Sequence, residues 1–113
     1  MAKSLEHQIV ALARLYIADE QHWTQGRLAL RRNDTPARPH ADNAWRWCAG
    51  GALIRAGYDL TRDLNRAYKL RDAACARLLP DEPKPVPAVE EINDSDNGHR
   101  KILRLFDDFL AHE

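Results

Sequence analysis

Cys48, His99 and Asp94 are the residues of this chain that could do covalent chemistry. A nucleophilic thiol needs a base within hydrogen-bond reach and a depressed pKa, often supplied by a helix N-terminus. Cys48 could be the nucleophile, His99 or His40 the base, and Asp94 the orienting group. Two considerations weigh against it. Cysteine is among the most buried residue types. The helix predicted here also places Cys48 past its first turn, where the dipole has faded. A structural thiol is the leading reading, and a thiol-dependent enzyme the alternative. His7, His22, His40, His99 and His112 fall in no H-x-x-x-H spacing and the cysteines in no C-x-x-C spacing, so no metal site is predicted. No cofactor is expected.

The candidate binding residues are Trp23, Gln25, Trp45, Arg46, Trp47, Asn93 and Asp94. Trp23-Thr24-Gln25-Gly26, Arg46-Trp47-Cys48 and Gly51-Ala52-Leu53 gather aromatic rings, a thiol and close-packing glycine near the start of one helix. A tight core or a small site could be built there. Trp45 and Trp47 are two apart and cannot share a helix face. One should pack inward while the other is partly exposed or covers the Trp23 loop. An exposed Trp beside Arg46 suits a protein interface, where both types are enriched. Asn93-Asp94 could set an amide and a carboxylate beside Trp23 or Trp47. The leading reading is a turn shaped by Asx side chains, with a buried Asp94 held by Arg46 or an indole N–H in between.

These residues must be positioned by helices. Ser4 can cap a first helix running from Leu5 to about Glu20, with Leu5, Ile9, Leu12, Ala13 and Tyr16 on one apolar face. Residues 21–41 lose periodicity, Pro36 and Pro39 deny helix there, Asn33-Asp34 reads as a turn, and Leu28-Ala29-Leu30 is long enough only for a brief strand or extended segment. A second helix is predicted from Asp42 or Asn43 to Gly57, which suits the left-handed closing position. Its glycines lower helicity and imply close approach of another backbone. A third follows Asp59 or Thr61 and reaches Leu79, where Pro80 blocks continuation. Leu60, Leu64, Ala67, Tyr68, Ala74, Cys75 and Leu78 lie along one side. Pro80, Pro83, Pro85 and Pro87 predict an extended connection, with a short helical turn at 89–92. The last helix takes His99 to about Ala111. The expected fold is all-α, a single domain over 1–113, with about four helices, an irregular loop after the first and a Pro-rich connection before the last.

Length and charge narrow the function. A chain of 113 residues is one domain by size and buries a core without staples. Seventeen basic and seventeen acidic residues cancel. Residues 27–77 carry eleven bases against five acids, and residues 78–113 four against nine. The leading expectation is that the basic middle pairs with the acidic end. Arg62, Arg66, Lys69 and Arg77 lie off the apolar stripe of the third helix, but Asp59, Asp63 and Asp72 interrupt them. A weak nucleic-acid binder is therefore only a further alternative. No apolar stretch is long enough for a targeting core or a bilayer span. A cytoplasmic protein with reduced thiols is expected.

The order Trp23-Thr24-Gln25-Gly26, Arg46-Trp47-Cys48-x-x-Gly51-Ala52-Leu53, then Asn93-Asp94 ahead of His99 and Ile102-Leu103-x-Leu105-Phe106-Asp107 resembles a family of small bacterial and phage proteins. That family is described only as a domain of unknown function. The resemblance covers roughly residues 5–110. Ile92 stands where the family commonly has a bulky apolar residue, often Trp, and Gly98 near its usual Thr cap. The resemblance implies the fold and carries no activity. It also implies a phage or mobile-element accessory factor. The expectation is a small helical module that binds another protein, identity open, with no membrane partner and no committed oligomeric state.

Overall fold

The computed structural model describes residues 3–112, which leaves out Met1, Ala2 and Glu113. Five helices are present among the described residues: α1 (Leu5–Tyr16), α2 (Ala49–Thr61), α3 (Leu64–Leu78), α4 (Pro85–Asp94) and α5 (Gly98–Ala111). A two-stranded antiparallel ribbon, β1 (Ala29–Leu30) and β2 (Arg46–Trp47), sits between α1 and α2, with Ala29 opposite Trp47 and Leu30 opposite Arg46.

Ser4 starts α1 as its sequence predicts, its hydroxyl accepting from His7 N at 3.1 Å. The helix stops at Tyr16, short of the expected Glu20, and a 3-10 turn over Glu20–His22 follows, capped by Asp19. Ile9, Val10, Ala13 and Ile17 face the core.

The second helix begins at Ala49, six residues later than predicted. Residues 45–47 are instead extended, because Trp45 N bonds to Leu30 O and Cys48 N to Leu28 O, which ties this stretch to β1. Gly57 does not close the helix. It lies within α2 facing α3, where a Cβ would come within 2.9 Å of Ala67 Cα. Arg62, at φ 56°, closes α2 by donating its N–H to Tyr58 O. The close approach expected of the glycines holds at Gly51, where a Cβ would collide with Leu28 O.

Asp63 caps α3 through Arg66 N, and Pro80 follows its end. Ala67, Ala74, Cys75 and Leu78 are buried, whereas Tyr68 and Leu60 stand out to solvent. The Pro-rich stretch is not extended throughout: α4 starts at Pro85. Proline lacks only an N–H that the first turn leaves unbonded, and its φ suits a helix start. This added helix corrects the expected four to five.

The core joins Ile9, Ala13 and Ile17 of the first segment with Leu53, Ala56, Cys75, Val89, Ile102 and Phe106. Burying a side chain the size of Phe106 contributes up to about 3 kcal/mol. Arg14–Asp107 ties α1 to α5, and Arg77–Glu6 ties α3 to α1. Arg46–Asp34, Arg55–Asp59 and Arg71–Asp72 pair within the basic middle. An attraction between Arg71 and Glu90 reaches from that middle to the acidic end.

Candidate functional site

The N-terminus of α2 is the chemical centre of the fold. Its first amides would each need an acceptor, and each has one. Asn93 Oδ1 accepts from Ala49 N (2.9 Å), Glu90 Oε1 from Gly50 N (3.1 Å), and Cys48 Sγ from Gly51 N (3.3 Å). Cys48 is therefore the cap of α2, not a residue beyond its first turn. Glu90 and Asn93 reach it because they lie three apart on one face of α4.

Burial and the neighbouring Glu90 charge push the Cys48 thiol far above its ordinary range, outweighing the Gly51 amide. Its S–H points to Glu90 Oε1 at 3.6 Å. Burial also raises the Glu90 carboxyl above the usual carboxylate range, partly offset by its bond with Cys48. Cys75 is buried as well and is pushed up to about 12. No described histidine hydrogen-bonds either thiol. His99 donates from Nε2 to Ile17 O (2.7 Å) and packs on Trp23, while His40 packs on Tyr58. Asp94 accepts from Gly26 N. Cys48, His99 and Asp94 are thus engaged separately, with no base on the thiol.

Asn93 is the one fully buried polar residue among those described. Its Oδ1 also accepts from Trp23 Nε1 (2.8 Å), and its Nδ2 donates to Thr24 O (3.1 Å) and Asp94 Oδ1 (3.0 Å). Gln25 Nε2 donates to Asn93 O and Ser95 O, both at 3.0 Å. Gly26, at φ 76°, turns its N–H onto Asp94, a backbone shape that suits glycine. The indole-held residue is Asn93, where the sequence pointed to Asp94. The pair closes a helix rather than forming a free turn.

These contacts floor a cleft of about 440 Å³ lined by Glu20, Trp23, Gln25, Asp94, His99 and Arg100, among others. Trp23, Gln25, Asn93, Asp94 and His99 are therefore brought together. Trp45, Arg46 and Trp47 are not part of that cleft. Trp47 packs on the core, stacks near Tyr16, and donates from Nε1 to Pro39 O (3.0 Å) under the Arg55 guanidinium.

Trp45 faces the other way. The indole is half-buried, with the guanidinium of Arg46 at 4.8 Å and that of Arg32 at 5.4 Å from its ring centre. His22 meets the ring edge at 4.8 Å and donates from Nδ1 to Trp45 O. Arg46 also binds Asp34 and Gln21 O. Sequence reasoning missed Glu90, Arg32 and Asp34. Glu90 could have been found from its i, i+3 relation to Asn93 had the Pro-led helix been read. Nothing local marks Arg32, and Asp34 is marked only as part of the Asn33-Asp34 turn, which the structure forms. Among the described residues, no His/Cys/Asp/Glu cluster could hold a metal, and no helix is long and apolar enough to cross a membrane.

The chain belongs to a family of unknown function, DUF6197, whose model matches residues 1–112. No curated protein and no solved structure matches it.

Proposed function

We propose that the protein is a cytoplasmic interaction module, an accessory or regulatory factor that acts by engaging another protein through the face around Trp45. The observation that carries this reading is the contrast between two neighbours in sequence. Cys48 is wholly buried and spent on capping α2, while Trp45 is only half-buried and carries two guanidinium groups on its ring. Trp and Arg are the types that most often anchor protein interfaces, because a large rigid ring and a planar cation lose little freedom on docking. A catalytic thiol would need the opposite arrangement, with the sulfur open and a base upon it.

Recovery of a partner from the native host tests this. A protein that co-purifies with the native chain and with Leu15→Ser, altered at an exposed residue elsewhere, should be lost with Trp45→Ala. Equal recovery by Trp45→Ala would overturn the reading.

A further inference from the structure

We propose that the partner presents an acidic segment, and that Asp34 holds in the free protein the place a partner carboxylate takes in the complex. This rests on the reading of Trp45 as a protein-binding face. Two arginines pack on that ring, Arg46 and Arg32. Arg46 is already bound to Asp34 and to Gln21 O at 2.9 Å. Arg32, exposed, packs over Trp45 and has no carboxylate in any described ion pair. Two cations thus share one ring beside a single paired carboxylate, and the chain itself supplies that one.

Asp34 is delivered by a small, closed arm. Arg31 N bonds to Thr35 O (2.8 Å) and Asp34 N to Arg31 O (2.9 Å), while Asn33 Oδ1 takes both Thr35 N and Oγ1. Asp34 sits in the left-handed region at φ 68°, which a non-glycine residue adopts at a cost. Its side chain is 66% exposed, so its bond to Arg46 is of the weak, solvent-screened kind. An incoming carboxylate held bidentately displaces it. Trp45 keeps the Arg32 and Arg46 planes in place beforehand, so less freedom is lost when the acid arrives.

The same packing disfavours a nucleic acid. Two guanidinium groups and the His22 edge already occupy the indole, leaving it poorly placed to stack a base.

A fluorescein-labelled octaglutamate peptide, titrated by anisotropy at low salt, tests the proposal on the full chain. The native protein should bind it saturably. Asp34→Asn should bind about two- to fivefold tighter, the factor that an exposed ion pair converts to. Asparagine tolerates the left-handed turn, so the arm keeps its shape. Arg32→Ala should bind about tenfold weaker or worse, because one charge-assisted hydrogen bond to the peptide is removed. Thermal melts of both variants establish that they fold as the native chain does. Absence of saturable binding, or no tightening in Asp34→Asn, overturns the proposal. So does stronger binding to a labelled oligothymidylate at the same salt. A dimer in sedimentation that Arg32→Ala dissolves overturns it too, since the acid would then belong to a second copy. If the peptide fails while Trp45→Ala still loses the co-purified partner, the acidic class falls and the binding face stands.

Discussion

Replacing Asn93 with Leu keeps the volume of the side chain while removing every polar bond it makes. Ala49 N is then a buried donor with no acceptor, and Trp23 Nε1 and Thr24 O lose their partners in a half-buried setting. Asp94, which is exposed, regains water. A buried orphan costs about 1–3 kcal/mol. Counting Ala49 N in full and the other two at roughly half gives a loss of about 2–6 kcal/mol. That is a large share of the 5–15 kcal/mol, roughly, that holds an average domain together. With a urea slope near 2 kcal/mol/M, roughly usual for small domains, the midpoint should fall by about 2 M. Trp23→Phe removes one donor in advance. In that background the cost of Asn93→Leu should drop by about 1 kcal/mol, because the two residues share a bond. A loss under about 1 kcal/mol at unchanged slope, or strict additivity of the two changes, would refute the reasoning.

Gly51→Ala should cost about 3 kcal/mol or more, since its Cβ meets the Leu28 backbone, whereas Gly50→Ala meets only the movable end of Glu90 and should cost far less; paired thermal melts read the difference. Both thiols should resist Ellman's reagent in the native protein and react together in urea, and fast labelling of Cys48 before unfolding would contradict its place as a buried cap. Because the folded Glu90 carboxyl is raised, its contribution to stability is greatest below the ordinary carboxylate value and is lost as pH climbs through the folded one. Glu90→Gln should therefore remove the gain in stability that Glu90 contributes on acidification from neutral pH, which urea midpoints across that window would check.

How much of this was legible in the chain depends on where the determining contacts lie. Ser4 and Pro80 act within a few residues of themselves, so the start of α1 and the end of α3 could be anticipated, whereas Asp59 and Thr61, the expected caps of the third helix, belong to α2 and Asp63 caps α3 instead. The start of α2 could not. Asp42 and Asn43 are good caps in isolation, but residues 45–47 are drawn into extended pairing by Leu28 and Leu30, a contact some fifteen residues away. Gly57 has the right type for a helix end and is used instead for the approach of α3. Pro85 and Pro87 read as extended chain because proline is usually a breaker. At the first turn of α4 the same ring geometry starts a helix.

The candidate site shows the same division more sharply. Trp23, Gln25 and Gly26 are donors, and Asn93, Asp94 and Ser95 supply the acceptors they find: an amide oxygen, a carboxylate and two backbone carbonyls. The two segments are some seventy residues apart, yet their chemistry is complementary when counted side by side. Such residues attract attention in a sequence because uncommon types cluster. In the folded chain that clustering serves to seat a loop on the ends of α2 and α4, and it leaves few of their polar groups for a partner. Arg32 belongs to no conspicuous pattern and Asp34 reads only as half of a turn, and they acquire meaning when the ribbon brings Trp45 between Arg32 and Arg46. Residues consumed by folding are therefore the more visible ones here, and the surface available for recognition is assembled from those that local reasoning passes over.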